Sequence, residues 1–376
     1  GGGGGHGRVS AALVYDGEEL AVDVAAVFSD GVIPNSPAAK LEPRPGMEMN
    51  AINFADQTRL YSHHPVFSKM PVQPLQVNRA YITEFTGLMI PAIYDCGPEL
   101  IEGGSPTKSG LPGNYYSSVP SRWVDCNNLQ SYVRSGQKWF FPSYPIIDEE
   151  YIEFASVMEV ALQARVKLTV VEIGARWGTW GYRAIAASKA YNPSVLVYDV
   201  LFVEPELESC DAVREVASVN DWTLPTVNVT LLCSKANAQQ VLEWVATRDF
   251  IDIFDIDCQG CEYQLFPTII DALNAKVKRL VIGLHSQDSN VNRMLLQSLH
   301  GWTVVHSSDV LPCFTALGCQ HILLENHKWD VQSQIQKKCG QCTEFSHPSL
   351  GPIINWDGEL ILDNPKFLDT PTFSDE

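Results

Sequence analysis

The chain has 376 residues, 45% of them hydrophobic, which excludes disorder of the whole chain and suffices for one large domain or two ordinary ones. With 26 Lys and Arg against 44 Asp and Glu, the formal charge of -18 repels phosphate backbones, so nucleic acid is not an expected partner. No apolar run reaches the roughly 18 to 20 residues of a membrane-spanning helix. The opening GGGGGHGR, without Met, is compatible with removal of a targeting segment or anchor, so compartment and oligomeric state stay undecided.

The ten cysteines are too sparse for a small disulfide scaffold, although their even number permits bridges. Cys258 and Cys261 form one CxxC, and Cys339 and Cys342 form a second. The pairs lie far apart, whereas zinc ribbons place them roughly fifteen to twenty residues apart. Ordinary buried or unpaired thiols are therefore favoured over a zinc site, and we predict no metal.

Two parts of the chain give little periodic signal. Residues 1–147 are rich in turn-forming residues, with extended runs at 21–28 and 81–90 and no long helical pattern, which predicts an irregular region of unknown role. Residues 329–376 are predicted to form an extended C-terminal tail, which contains the acidic, aromatic stretch Trp356-Asp357-Gly358-Glu359-Leu360.

Between them, residues 148–328 alternate strand and helix patterns. An acidic start at Asp148 to Glu150 precedes an amphipathic helix from Ile152 to Leu162. Predicted strands follow at 166–173, 195–203, 226–232, 250–256 and 277–284, then two closing strands at 302–306 and 321–324. Helices are predicted at 182–191, 205–219, 237–246, 262–273 and 291–299. This alternation predicts a Rossmann-like α/β fold, a doubly wound and mostly parallel sheet, with the closing strands forming an antiparallel hairpin.

In such a sheet the ligand lies beyond the carboxyl ends of the strands, so the turn after the first strand is informative. It reads Glu172-Ile-Gly174-Ala175-Arg-Trp-Gly178-Thr-Trp180-Gly. Bare glycine backbone and the amides of the next helix suit a cofactor, while a turn that serves only close helix packing is the alternative. The GxxxG spacing differs from the GxGxxG of nicotinamide and flavin proteins, which disfavours a nicotinamide-dependent oxidoreductase.

Acidic residues close the next strands. Glu204 ends the second strand, where an acid binds the ribose hydroxyls of an adenosyl group, or acts only as a charge at the start of the helix after Pro205. Asp255-Ile-Asp257-Cys-Gln-Gly-Cys-Glu262 follows the fourth strand, with Asp257 the best placed and helix capping the alternative for Glu262. His285 ends the fifth strand with a pKa range suited to taking a proton, although such a histidine is more often structural.

These motifs together resemble the FkbM family of S-adenosylmethionine-dependent methyltransferases over about residues 145–325. The resemblance rests on VVEIGARWGTWG, LFVEPE, IDIFDIDCQGCEYQLF and LVIGLHS. Two positions depart from the family pattern: Cys261 stands where a small residue is common, and Gly283 where an acid often precedes the histidine. No resemblance is found in residues 1–140.

The resemblance implies a class I methyltransferase fold and methyl transfer from S-adenosylmethionine to a hydroxyl of a glycan or small metabolite. It implies cofactor contacts from the residues Glu172, Gly174, Ala175, Gly178, Trp180, Glu204 and Asp257. Asp257, His285 and Glu262 are the catalytic candidates. Trp177 or Trp180 would face the sulfonium or adenine, with core packing as the alternative for both. The alternative function is a non-catalytic binding or structural protein that retains the fold.

Overall fold

The computed structural model describes ten segments of the chain. They are residues 10–15, 18–23, 64–96, 120–145, 150–222, 226–286, 289–308, 345–347, 351–353 and 358–367. Among these residues no helix combines the length and apolar character needed to cross a membrane.

The described residues of the N-terminal part form short antiparallel pairs, one short 3-10 helix (Phe67–Lys69) and two α-helices. In chain order its elements are β1 (Ser10–Tyr15), β2 (Glu18–Asp23), β3 (Leu75–Gln76), β4 (Tyr81–Thr83), β5 (Met89–Pro91), α1 (Ala92–Cys96), α2 (Pro120–Ser135) and β6 (Trp139–Phe140). Strand β1 pairs with β2, β3 with β6, and β4 with β5. The extended run predicted at 81–90 is therefore a hairpin. Helix α2 was missed because its polar sequence, PSRWVDCNNLQSYVRS, lacks an apolar period.

The rest of the chain alternates strands and helices. Its helices are α3 (Tyr151–Gln163), α4 (Thr179–Tyr191), α5 (Leu207–Val219), α6 (Ala238–Ala246), α7 (Glu262–Lys276) and α8 (Ser289–Ser298). Its strands are β7 (Val166–Ile173), β8 (Val195–Val203), β9 (Val227–Leu232), β10 (Ile251–Ile256), β11 (Val277–Leu284), β12 (Thr303–Ser308), β13 (Phe345–His347), β14 (Gly351–Ile353) and β15 (Gly358–Asp363).

Seven of these strands form the central sheet in the order β12-β15-β11-β10-β7-β8-β9. Neighbouring strands from β11 to β9 pair in parallel, whereas β15 is antiparallel to both of its neighbours. Two hydrophobic clusters, one on each face, include residues from α3, α4 and α5 and from α6, α7 and α8. The predicted fold, a doubly wound and mostly parallel sheet with helices on both faces, is confirmed.

The antiparallel strand corrects the prediction for the end of the chain. The expected hairpin partner of β12, residues 321–324, lies outside the described residues; within them, β12 pairs with β15, which comes from the predicted tail. All six residues of β15 are buried, and Arg279 of β11 binds Asp363 through two nitrogens, at 2.7 and 2.8 Å. Residues 358–363 therefore belong to the central sheet.

A buried ion pair joins the N-terminal part to the sheet domain. Arg183 of α4 places Nη2 2.8 Å from Oε1 of Glu84, and both side chains are 7% exposed. The guanidinium also stacks on the rings of Phe154 and Trp180, at 4.6 and 4.9 Å from their centroids. Since an unpaired buried charge is costly, this contact fixes the loop between β4 and β5 on α4.

Three disulfides among the described residues correct the expectation of free thiols there. Cys96–Cys126 joins α1 to α2, Cys210–Cys233 joins α5 to the end of β9, and Cys258–Cys261 closes the turn after β10. The second CxxC motif, Cys339 with Cys342, lies outside the described residues.

Candidate active site

A cavity of about 120 Å³ lies where the carboxyl ends of β7, β10 and β11 meet the start of β15. The strand order reverses between β7 and β10, so this is the switch point at which doubly wound sheets bind ligands. The lining residues are Glu150, Glu153, Glu172, Gly174, Arg176, Thr179, Trp180, Asp255, Asp257, Gly283, His285, Gly358 and Glu359. The cavity therefore brings together residues from the ends of the first, fourth and fifth predicted strands, whereas Glu204, at the end of the second, is not among its lining residues.

The glycine turn after β7 packs closely against the protein itself. Gly174 has φ +89°, and a Cβ there would lie 1.8 Å from the carbonyl oxygen of Asp257. Gly178 has φ +88°, and its Cβ would lie 2.5 Å from the ring of Tyr182. Ala175 is fully buried, and its carbonyl accepts the N–H of Gly178 at 2.6 Å. Both glycines thus have a packing role, and Gly174 also lines the cavity.

Glu172 holds the start of α4. Its two carboxylate oxygens accept the N–H groups of Trp180 and Gly181, at 3.0 and 2.7 Å. The side chain is 1% exposed, and burial raises its pKa to about 8 despite these hydrogen bonds. Glu172 therefore serves the fold while forming part of the cavity wall.

The two tryptophans of the turn differ in position. Trp177 is fully buried, does not line the cavity and lies 5.3 Å from the guanidinium of Arg183. Trp180 packs edge-on against Phe154 and also lines the cavity. The core-packing interpretation fits Trp177, whereas Trp180 combines packing with a place at the site.

Glu204 lies beyond the end of β8 and binds the glycine turn. Its Oε2 accepts the N–H of Arg176 at 2.7 Å, and its Oε1 accepts the N–H of Glu206, at the start of α5, at 3.0 Å. Burial raises the pKa of Glu204. Arg176, which lines the cavity, pairs with Asp95 at 2.7 Å. Glu204 thus links the strand end, the turn and the next helix.

His285 lies between two carboxylates. Its Nε2 is 3.0 Å from Oδ1 of Asp257, and its Nδ1 is 2.9 Å from Oε1 of Glu262. Burial lowers the pKa of His285, but these two acids outweigh it and raise the pKa to about 11. The two acids therefore favour the protonated imidazole at neutral pH.

Gly283 leaves room for this pair. A Cβ at Gly283 would lie 2.8 Å from Oδ1 of Asp257 and 3.0 Å from Cε1 of His285. The acid that often occupies this position in the FkbM pattern would not fit here without displacing Asp257. Glu359 of β15 is paired with Gly283 in the sheet and lines the same cavity.

Three residues without a predicted role also shape the site. Glu153 comes from α3 and Glu359 from β15, and both line the cavity. The hydroxyl of Tyr263 accepts the N–H groups of His285 and Ser286, at 3.0 and 2.8 Å. Tyr263 directly follows Glu262 in the motif, so its place in the sequence could have indicated that it lies at the site. Nothing in the sequence indicated a place for Glu359 at the site, because its strand, β15, pairs with β11, which is remote in sequence.

The CxxC after β10 borders the site. Within the described ranges, the one group of metal-ligating side chains at ligand spacing consists of Cys258, Cys261 and Glu262. The two sulfurs of this group are bonded to each other, so they do not offer two thiolate ligands.

Comparisons with known proteins add distant likenesses. A precorrin-6Y C5,15-methyltransferase of Geobacter metallireducens is 17% identical over 44% of this chain and 78% of its own, with a TM-score of 0.31. A SAM-dependent methyltransferase of Agrobacterium tumefaciens is 11% identical over 60% of this chain and 67% of its own, with a TM-score of 0.36. TrmK of M. capricolum, in complex with S-adenosylhomocysteine, is 12% identical over 56% and 68%, with a TM-score of 0.30.

No protein-family model and no curated protein matches the sequence. The FkbM resemblance therefore stays a prediction from the motifs. Structural likenesses at these TM-scores assign neither a family nor an activity to this chain.

Proposed function

We propose that this chain is an S-adenosylmethionine-dependent methyltransferase that methylates a hydroxyl of a glycan or small metabolite. One observation carries the proposal: Gly174 packs on the main chain of Asp257, which puts the glycine turn of β7 and the acid after β10 at one cavity. A cofactor turn and a proton acceptor are the two parts that such a transfer needs from the protein.

The residues around the cavity suit the cofactor. The sulfonium of S-adenosylmethionine is a cation, and six carboxylates line the wall. Glu204, at the end of the neighbouring strand, would accept hydrogen bonds from the ribose. Gly174 and Trp180 would lie against the methionine part. When bound, the cofactor supplies an activated methyl group.

Asp257 is the proposed base. Its side chain is 40% exposed, whereas His285 already carries its proton and is 10% exposed. The hydroxyl proton of the acceptor passes to the Asp257 carboxylate while the hydroxyl oxygen forms a bond to the methyl carbon. S-adenosylmethionine would supply the methyl group and leave as S-adenosylhomocysteine, with the electron pair of the broken carbon–sulfur bond on sulfur. The His285 imidazolium holds the Asp257 carboxylate in place during this step.

The first test is calorimetric titration of the purified chain with S-adenosylhomocysteine, which needs no knowledge of the acceptor. We expect saturable binding, followed by release of S-adenosylhomocysteine from S-adenosylmethionine when hydroxylated acceptors are added. If the folded chain does not bind S-adenosylhomocysteine, the proposed methyltransferase function is rejected. It would favour the alternative, a non-catalytic protein that keeps the fold.

A further inference from the structure

The cavity wall carries more acidic side chains than cationic ones. Six carboxylates and two cationic side chains, Arg176 and His285, line it. Arg176 is paired with Asp95, and His285 lies between Asp257 and Glu262. Both cations are therefore committed to other groups, which leaves Asp255 and Glu153 without a cationic partner from the cavity wall, whereas Glu359 lies beside His306, whose Nε2 is 3.6 Å from its Oε2.

Asp255 lies in this acidic part of the wall and is buried, with only 1% of its surface exposed to solvent. Neither of its carboxylate oxygens has a hydrogen-bond partner among the described residues. Burial raises the pKa of Asp255 well above its usual range, and the nearby charges of Glu172, Asp257 and Glu359 raise it further. A buried carboxylate is normally hydrogen-bonded or paired, so Asp255 indicates a ligand that brings positive charge.

Glu153 has the same kind of surroundings. Burial raises its pKa well above the usual range, and the charges that add to this effect are those of other acids, including Glu359, Asp255 and Asp257. The acids of α3, β10 and β15 thus act on one another across a single cavity. A cation placed between them would relieve all three at once.

The arrangement of these acids favours an organic cation over a metal ion. Mg²⁺ draws its oxygen ligands to within about 2.1 Å of one point. In the described part of the chain, the acids of this wall form no group of three whose ligand atoms lie within 4.8 Å of one another. An ammonium group donates three hydrogen bonds in different directions, each about 2.7 to 2.9 Å long, and so suits carboxylates spread over a wall.

We propose that the methyl acceptor is an amino alcohol whose ammonium group binds Asp255, Glu153 and Glu359 while its hydroxyl faces Asp257. This assignment rests on the proposed methyltransferase function. Asp255 lies in β10 and Asp257 is two residues further on, directly after the strand ends at Ile256; two residues of extended chain span about 6.6 Å. The hydroxyl and the nitrogen of the acceptor are therefore on neighbouring or nearly neighbouring carbons.

The test measures thermal unfolding of the full chain with 2-aminoethanol hydrochloride, alone and with saturating S-adenosylhomocysteine. Two reference additives are used. One is neutral 1,2-ethanediol with NaCl at equal ionic strength, and the other is MgCl₂. The variants are Asp255→Asn and a matched control, Asp252→Asn. Asp252 is a buried acid of the same strand that accepts the N–H of Thr169 at 2.8 Å and does not line the cavity.

We expect 2-aminoethanol to raise the unfolding temperature of the wild type in a saturable way, beyond the effect of the diol with NaCl. Asp255→Asn should need at least tenfold more amine for the same rise, while Asp252→Asn should respond as the wild type does. No specific rise in the wild type, or an equal rise in Asp255→Asn, overturns the proposal. A larger, Asp255-dependent rise with MgCl₂ overturns it in favour of a metal ion.

Affinity for S-adenosylhomocysteine separates this proposal from the one on which it rests. If Asp255→Asn also weakens S-adenosylhomocysteine tenfold, the acids hold the cofactor's own amino group and the acceptor assignment is wrong. If the wild type binds the amine through Asp255 but not S-adenosylhomocysteine, the ammonium site stands as a binding site and the methyltransferase assignment fails.

Discussion

Asp257 and Gly283 are in such close contact that one added methyl group would displace the Asp257 carboxylate. A Cβ at Gly283 would lie 2.8 Å from Oδ1 of Asp257. The obstructed atom is the end of a side chain, so the side chain can move without unfolding the sheet. The contact therefore makes the place of the proposed base sensitive to a neighbour that has no chemistry of its own.

For Gly283→Ala we expect a loss of turnover of at least tenfold with little change in thermal stability. A displaced carboxylate no longer meets the hydroxyl proton in the productive geometry. Steady-state kinetics and thermal unfolding measure the two effects. Gly301→Ala is the control, because a Cβ there has nothing within 4 Å. Unchanged turnover in Gly283→Ala would show that the carboxylate position is not critical.

Asp257→Asn should suppress turnover by about 10²- to 10⁴-fold, the usual contribution of a general base. The fold and the affinity for S-adenosylhomocysteine should be retained, because the amide has the same shape as the acid. Single-turnover assays with calorimetry distinguish chemistry from binding. Normal turnover in this variant would exclude Asp257 as the base.

His285 should remain protonated at pH 8, where an unperturbed histidine, with a pKa near 6.5, is neutral. The pKa of His285 is raised to about 11, so its contribution to stability is fully present below about pH 6.5 and is lost as the pH rises through about 11. Nitrogen NMR shifts of the ring report its charge. Glu262→Gln should lower the pKa, and a neutral ring at pH 8 in the wild type would contradict the ion-pair geometry.

Glu204→Ala should weaken S-adenosylhomocysteine binding by ~1 to 3 kcal/mol, the scale of a lost hydrogen bond to a charged group. Calorimetry measures the change directly. Glu206→Ala is a suitable control, since Glu206 is exposed and contributes its backbone N–H rather than its side chain. Equal affinities of Glu204→Ala and wild type would remove Glu204 from the cofactor site.

Glu84→Gln should destabilise the protein by about 3 to 5 kcal/mol, because it leaves the buried guanidinium of Arg183 without its counter-charge. Chemical denaturation measures the free energy of unfolding. The exposed pair of Arg214 and Asp211 provides the comparison, and Asp211→Asn should change stability by about 0 to 1 kcal/mol. Similar effects of the two substitutions would show that the N-terminal part is not held through Arg183.

Much of the central sheet could be predicted from the sequence, since the apolar runs of β7, β8 and β11 coincide with the predicted strands. Such runs arise where a parallel strand is covered on both faces. Helix α2 gave no comparable signal, because its sequence is mostly polar and a disulfide to α1 helps to hold it. The pairing of β12 depended on a strand some fifty residues further along the chain.

The site could be predicted only where the topology rule applies. Residues at strand ends, such as Gly174, Asp257 and His285, meet because parallel strands finish at one edge. Glu153 and Glu359 could not be placed in this way, since their positions depend on how α3 packs and how β15 pairs. The charge of His285 likewise depends on the simultaneous approach of two acids, which a linear motif does not display.

The position of β15 has a consequence for how the chain folds. Its contact between Arg279 and Asp363 spans 84 residues, yet the strand lies between β11 and β12 in the sheet. Closing so long a loop costs more entropy than forming a local hairpin, and non-local pairings of this kind slow folding. We therefore expect β12 to join the sheet late, after β15. Until β15 pairs with it, β11 is an unprotected edge, open to pairing with other chains.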